Sequence, residues 1–244
     1  MTWNAIGWTI IGLAALLLLF FRLLFGRRGR YLVREQPAVH AFLEHRERAI
    51  ERGEKCLISL GDRFWSRAYP ALGLQSLSVT SKLASLGPGG LEEQFLATGS
   101  GELALFVRQI LQGDYRDGYS MALNLVVPGP TPYAFMAGFL ADLHLFNPGS
   151  VGLFGNYGTT GAVNMEAAEK KGAHSFAAAG SVSTQAALFL TTRDLLIGEE
   201  VYLLPGLFDE LPENQATWIS EDILRVLLIA LLVIAAGLKM VGIL

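Results

Sequence analysis

The chain has little of what metal-bound, disulfide-stapled or hydrolytic proteins rely on. Its 244 residues include one cysteine, Cys56, so an intramolecular disulfide and a cysteine-built zinc cluster are both excluded. Cys56 sits in an apolar run and reads as a small buried hydrophobe. Four histidines, His40, His45, His144 and His174, are scattered along the chain, the first two on a charged helix. No HExxH pair or GxSxG elbow accompanies them, so each reads as structural or solvent-facing. The GK[ST] ending of a P-loop is missing, which excludes a Walker nucleotide site. Charge is scarce as well. Only 17% of residues are charged and the net charge is −3, whereas a protein that neutralises several phosphates carries a basic face. Nucleic acid is therefore not an expected partner. The sequence shows no internal repeat and no low-complexity linker.

Apolar residues are abundant instead. They make up 52% of the chain, with a mean hydropathy of +0.39, more than an ordinary soluble domain carries. Residues 3–25 are nearly all apolar and, at about 1.5 Å per residue, span roughly 34 Å, enough for a bilayer core of about 30 Å. Arg22, Arg27, Arg28 and Arg30 come at the end of this segment and just after it, where a cleaved signal peptide would carry basic residues ahead of it, so a retained anchor is expected. The positive-inside rule then places the amino terminus outside and the main domain in the cytoplasm. Trp3 and Trp8 fall near the outer interface. Residues 223–244 form a second candidate span, in which Arg225 and Lys239 can snorkel toward opposite headgroup layers. An interfacial helix is the competing reading, but no polar face supports it. The expected organisation is an amino-terminal transmembrane helix with its basic flank (1–30), a cytoplasmic domain (31–218) and a carboxyl-terminal transmembrane helix (219–244) in a bacterial inner membrane.

Between the spans, short apolar runs alternate with helical patterns. Residues 38–52 read as a charged helix with an apolar stripe of Val39, Phe42, Leu43 and Ile50; its Glu44–Arg48 pair is worth a few tenths of a kcal/mol. Strands are expected at 55–60, 94–98, 123–127, 151–154 and 174–179, with helices at 70–86, 102–112, 133–146 and 160–171. Beyond 179, Ser183, Thr184 and Gln185 can cap a short helix, residues 188–192 read as a sixth strand, and 195–204 as a last helix. Strands alternating with helices imply an α/β fold, a Rossmann-like parallel sheet flanked by helices.

The stretch 172–204, GAHSFAAAGSVSTQAALFLTTRDLLIGEEVYLL, opens on Gly-Ala, turns at an "AG" and carries near its end an "IGEE" formed by Ile197, Gly198, Glu199 and Glu200. In these features it resembles a bacterial membrane protein family, the domain of unknown function 6754. The resemblance extends more weakly to the amino-terminal helix with its basic flank and to the GLQSL segment from Gly73. It implies an α/β fold and a membrane location, and it transfers no catalytic residues.

In open α/β sheets ligands bind outside the carboxyl ends of the strands, and those ends carry Gly61, Gly99, Gly155 and Gly180. Gly99-Ser100-Gly101-Glu102-Leu103-Ala104 matches GxGxxA between a strand and a helix, making Gly99, Gly101 and Ala104 candidate cofactor-binding residues. Three features weigh against a dinucleotide there. The unit is not the first of the sheet, Glu102 puts negative charge at the phosphate position, and the acidic residue at the right distance, Asp117, lies in a loop. Glu102 stabilising its own helix is the better reading, and no cofactor is expected. The loop GLFGNYGTTG offers Gly155, Asn156, Thr159 and Thr160, with Tyr157 as a further donor, and Gly180 and Ser181 add a second strand end; these are the candidate ligand-binding residues. Asp194 with Glu199 and Glu200 could gather near a strand end, though adjacent helical residues make a poor chelate, so no metal site is expected.

With no nucleophile or acid/base constellation, the expected function is a membrane scaffold or assembly subunit without catalysis. A membrane-tethered ligand- or nucleotide-binding sensor and a transport-related subunit are the alternatives. Expected partners are the lipid bilayer, further copies of the chain and other membrane proteins. Residues 123–161 hold Asp142 as their one acidic residue and no lysine or arginine, so Tyr133, Phe135, Phe139 and the loop 155–160 are the expected subunit interface. Gly7, Gly12, Ala14 and Ala15 provide small residues for helix contact in the membrane. Reporter fusions at residue 120 and at the carboxyl terminus should show opposite sidedness; matching signals would mean that residues 223–244 do not cross.

Overall fold

The computed structural model describes residues 36–63, 70–85, 94–114, 125–208 and 222–230, with Trp8, Gly12, Ala15, Leu16, Leu19, Phe20, Leu232, Val233, Gly237 and Met240 besides. The chain divides into two units, 36–208 and the terminal segments 1–35 with 209–244.

The larger unit begins with helix α1 (Pro37–Glu51), followed by β1 (Cys56–Ser59), α2 (Pro70–Ser85), β2 (Gln94–Ala97), α3 (Gly101–Asp114) and β3 (Leu125–Val126). It continues with α4 (Pro132–Phe146), β4 (Ser150–Gly155), α5 (Thr160–Lys170), β5 (His174–Ala179), α6 (Val182–Phe189), β6 (Asp194–Leu196) and α7 (Glu200–Leu207). The six strands form one sheet in the order β3-β2-β1-β4-β5-β6, every neighbouring pair parallel. The expected Rossmann-like architecture is therefore present, with its switch point between β1 and β4.

All six residues of β4 and all six of β5 are buried, as strands covered on both faces must be. On one face Phe42 of α1 packs against Phe154 and Phe176 with ring centroids 5.6 and 5.0 Å apart, in a core that includes Ile58, Leu60, Leu83, Leu103 and Leu204. On the other, Phe135, Phe139 and Leu143 of α4 meet Leu57, Val151, Leu153, Met165 and Leu188. Thr131 starts α4 by accepting a hydrogen bond from the Ala134 N–H at 3.3 Å. Arg46 is buried, and its guanidinium donates to the Leu83 carbonyl at 3.1 Å near the end of α2. That contact satisfies one of the acceptors a helix leaves open at its carboxyl terminus.

Four expectations are corrected. Residues 188–192 are not a strand: α6 runs to Phe189, and the Thr191 and Thr192 N–H groups both bond to the Leu188 carbonyl at 2.9 Å. The sixth strand is β6, placed opposite β5 by the register Phe176 to Asp194 and by the Arg193 N–H bonding Ser175 Oγ at 3.2 Å. Leu195 and Leu196 thus belong to a strand, and the final helix starts only at Glu200, after Gly198 turns at a φ of 69°. The cap of α6 is Ser181, whose Oγ accepts from the Thr184 N–H at 3.1 Å, in place of the residues at 183–185. Finally, Phe135 and Phe139 are 1% and 0% exposed within their own chain. They fill the core and leave, of the three aromatics expected at the interface, only Tyr133 on the surface, 74% exposed.

Among the described residues no helix is long and apolar enough to cross a membrane. Most of 3–25 and much of 223–244 lie outside the described residues. Phe139→Ala should destabilise the full chain by about 3–5 kcal/mol, as expected for emptying a fully buried aromatic site, read as a lowered thermal midpoint in mild detergent. A loss below about 1 kcal/mol would place Phe139 outside the core.

Candidate functional site at the switch point

The carboxyl ends of β1 and β4 approach each other closely because glycine stands at the end of each. Gly61 has a φ of 112° and Gly155 a φ of 123°, values that residues with a Cβ rarely adopt. A Cβ on Gly155 would lie 2.7 Å from the Leu60 carbonyl oxygen, and one on Gly61 3.1 Å from that of Asn156. The two loops then join through backbone. The Asp62 N–H donates to the Asn156 carbonyl at 3.1 Å, and Arg63 pairs with Asn156 in an isolated antiparallel bridge. The β2 loop is drawn in by the Gly99 N–H, which donates to the Gly61 carbonyl at 3.0 Å.

Tyr157 locks this junction from beneath. Its buried hydroxyl donates to Ser59 Oγ at 2.6 Å and accepts from the Gly61 N–H at 2.7 Å. Burial pushes the phenol well above its ordinary range, so it stays protonated. Thr184 Oγ1 donates to the Tyr157 carbonyl at 2.9 Å, tying the start of α6 to the same loop.

Above the junction lies Asp62, 2% exposed and the only acidic side chain in the buried set among the described residues. Neither carboxylate oxygen makes a well-formed hydrogen bond. Arg63 Nε stands 3.5 Å from Oδ1, with its own side chain 58% exposed, and the Gly158 backbone faces the same carboxylate. Burial raises the Asp62 pKa, and the Arg63 guanidinium opposes that only in part. Buried carboxylates are ordinarily paired and well hydrogen-bonded, and this one is held only by the long Arg63 contact and by loosely placed backbone N–H groups, which leaves acceptor capacity for a ligand.

The candidate residues lie at strand ends on the same edge of the sheet. Gly155, Asn156, Thr159 and Thr160 come from the β4 end, and Gly180 and Ser181 from the β5 end alongside. Thr159 and Thr160 open α5, whose N-cap Thr159 makes no side-chain cap bond. The β2 loop behaves differently from a dinucleotide loop. A Cβ on Gly99 would lie 2.7 Å from the Asp62 carbonyl oxygen, so this glycine admits the chain's own backbone. Ser100 Oγ accepts from the Leu103 N–H at 3.4 Å and so occupies the start of α3 itself. Gly101 is open on its Cβ side, and Ala104 is half-buried along α3.

No family model, curated protein or solved structure matches this chain. Two turns in the stretch 172–204 are tied together by one side chain. Gln185 Nε2 donates to the Ala179 carbonyl at 2.7 Å while its Oε1 accepts from the Gly198 N–H at 3.0 Å, so one side chain clamps the "AG" turn to the "IGEE" turn.

The acidic cluster weighed for Asp194, Glu199 and Glu200, and not expected to bind metal, is not assembled. Asp194 begins β6 and pairs with His174, whereas the two glutamates follow the strand's far end. Among the described residues no three potential ligands gather as a metal set. Asp62 is not among the residues that the sequence singles out, although its signal is present there as an acidic residue directly after a strand-end glycine. The meeting of His45 with His174, a contact between α1 and β5, is announced by no local pattern.

A raised carboxyl pKa contributes stability that is complete below the unfolded value and is lost as pH rises through the folded value. Ionised Asp62 therefore opposes folding at neutral pH. Asp62→Asn should raise the thermal midpoint at pH near 7, by roughly 1 kcal/mol, and its advantage should vanish as the pH is lowered toward 4. A variant less stable than the parent at neutral pH would show that the carboxylate is satisfied.

Proposed function

We propose that this chain is a membrane-anchored ligand-binding domain whose switch-point crevice takes a small metabolite carrying both hydroxyl and oxyanion groups, such as a nucleotide or sugar phosphate. The observation that carries this reading is the buried, unsatisfied carboxylate of Asp62 at the place where parallel sheets bind ligands. Asp62 would accept from ligand hydroxyls. The Arg63 guanidinium would hold the oxyanion, with the Thr160 hydroxyl, which like it lies near Gly158, as a further donor. No catalytic step is assigned, and the buried hydroxyls beneath the junction, Tyr157 and Ser59, are bound to each other.

Anchoring is supported by the exposed helical stretch 222–230. Its consecutive residues Val226, Leu227, Leu228 and Ile229 are 67%, 48%, 60% and 58% exposed. At about 100° per residue they leave no polar side, a pattern suited to lipid on every face. With the apolar segment 3–25 it supports a two-span protein of the inner membrane with the domain in the cytoplasm, in keeping with its resemblance to the membrane family of unknown function 6754.

One observation favours a second reading, the scaffold that assembles with further copies or other membrane proteins. Val182, Phe189 and Leu190 are 74%, 67% and 83% exposed at the two ends of α6, beside the edge strand β6, where apolar surface and open backbone invite a partner.

The ligand reading is tested by thermal unfolding of the full-length protein in mild detergent against a panel of nucleotides and sugar phosphates. A member present at about 100 times its dissociation constant should stabilise the fold by about 2.7 kcal/mol. The shift should disappear in Asp62→Ala and Arg63→Ala. A flat response across the panel, or shifts in both variants equal to the parent's, would leave the scaffold reading standing alone.

A further inference from the structure

At the opposite end of the sheet, below the amino ends of β4 and β5, lies a second cleft of about 280 Å³. This is just under the range of roughly 300–1,000 Å³ typical of drug-sized ligands, so it suits a small ion or a single headgroup. Its walls come from α1 and the turn after it, from the turn before β4 and from the turns before β5 and β6, and they present Arg48, Arg52, Lys171 and Arg193 with one acid, Glu54.

Part of this charge has a structural use. In a parallel α/β fold the helices direct their carboxyl termini toward this edge, where cations offset open carbonyls. Lys171 Nζ donates to the Leu143 carbonyl of α4 at 2.9 Å in that manner. Arg193 pairs with Glu169 at 3.0 Å, and Arg48 with Glu44. Arg52 has no such use, and His174 is only half used. Arg52 is exposed and makes no ion pair or side-chain hydrogen bond among the described residues. His174 is 7% exposed and its Nδ1 has no partner, while its Nε2 lies 2.8 Å from Asp194 Oδ2.

The ring of His174 stacks on that of His45, with centroids 3.8 Å apart and planes 13° from parallel. Around the pair, Glu44 meets Arg48, Glu169 meets Arg193 and Asp194 meets His174, which leaves Arg52 and Lys171 against Glu54. A proton on His174 adds to the positive charge of the cleft. Burial and then the neighbouring His45 depress the His174 pKa, against the pull of Asp194 and Glu169. The Glu54 carboxylate lies directly over Gly149, where a Cβ would collide with it, so an oxyanion of the protein's own already reaches into this cleft.

We propose that the cleft is a proton-linked binding site for a small oxyanion of the phosphate type. The Arg52 fork supplies bidentate donors beside Arg48, whose pair with Glu44 engages one of its nitrogens, and His174, stacked on His45, takes up a proton as the anion enters. Because the anion favours protonated His174, affinity increases as pH falls through the histidine range. The site is separate from the switch-point crevice and stands independently of it.

Sulfate is the deciding probe, since its charge does not change between about pH 6 and pH 8 and any pH dependence belongs to the protein. Calorimetric titration of the full-length protein in detergent should give binding about tenfold tighter near pH 6 than near pH 8, the equivalent of about one unit of linked pKa shift. Arg52→Ala, at an exposed position that leaves the fold intact, should weaken sulfate binding at both pH values. His174→Gln should bind with no pH dependence. Parallel titrations with inorganic phosphate and with short-chain phosphatidic acid, against a phosphatidylcholine control, tell a free ion from a lipid headgroup. No sulfate binding by folded protein at either pH, equal affinity at both, or an Arg52→Ala variant that binds like the parent would each overturn the proposal.

Discussion

The close passage of two backbones at the centre of the sheet is the constraint on which this structure depends. β1 and β4 are adjacent although two complete strand–helix units separate them in sequence, and their outgoing loops cross within hydrogen-bonding distance. Side chains at Gly61 or Gly155 would hold those loops apart. With glycine at both places, Tyr157 reaches beneath to Ser59 and the Gly61 N–H, and the β2 loop closes over Gly61. One consequence is that the next side chain, Asp62, is carried into the junction and stripped of water. Packing that holds the fold together thus creates an acceptor that the fold uses only in part, at a cost in stability characteristic of binding sites.

The two edges of the sheet differ in kind, and the difference follows from the parallel topology. Helix amino termini converge on the edge that carries Asp62, and α5 begins there without a side-chain cap. Helix carboxyl termini converge on the other edge, where Arg46 and Lys171 donate to carbonyls of α2 and α4. A chain with few charges has placed many of them there, around the stacked histidines. The low overall charge therefore conceals a local arrangement of opposed ions that composition alone does not disclose.

Much of the fold is legible in the sequence because parallel strands buried on both faces leave continuous apolar runs. The segment 174–179 is legible to the residue, and the β1, β2 and β4 ranges differ from their expectations by a residue or so at an end. Residues 188–192 mislead because the same signal is ambiguous there: Leu188-Phe189-Leu190 is apolar and β-prone, but Ser181 has already started a helix that buries Leu188 alone and exposes the two residues after it. Phe135 and Phe139 mislead for a related reason, since a charge-poor segment describes core and interface equally well. The rim of the candidate site is legible as strand-end glycines and hydroxyls. Its centre is not, because burial of Asp62 and the meeting of His45 with His174 depend on contacts between residues far apart in the chain.

That Asp62 is buried and unsatisfied at the switch point is the central claim, and its titration can be measured directly. Carbon-13 NMR of the full-length protein in micelles, with aspartate carboxyls labelled and the Asp62 resonance assigned through an Asp62→Asn variant, gives the midpoint. The structure predicts a midpoint above the ordinary aspartate range, held there by desolvation with only partial relief from Arg63. A midpoint at or below that range would mean that donors already satisfy the carboxylate, and the crevice would then be a finished piece of structure with no ligand to await.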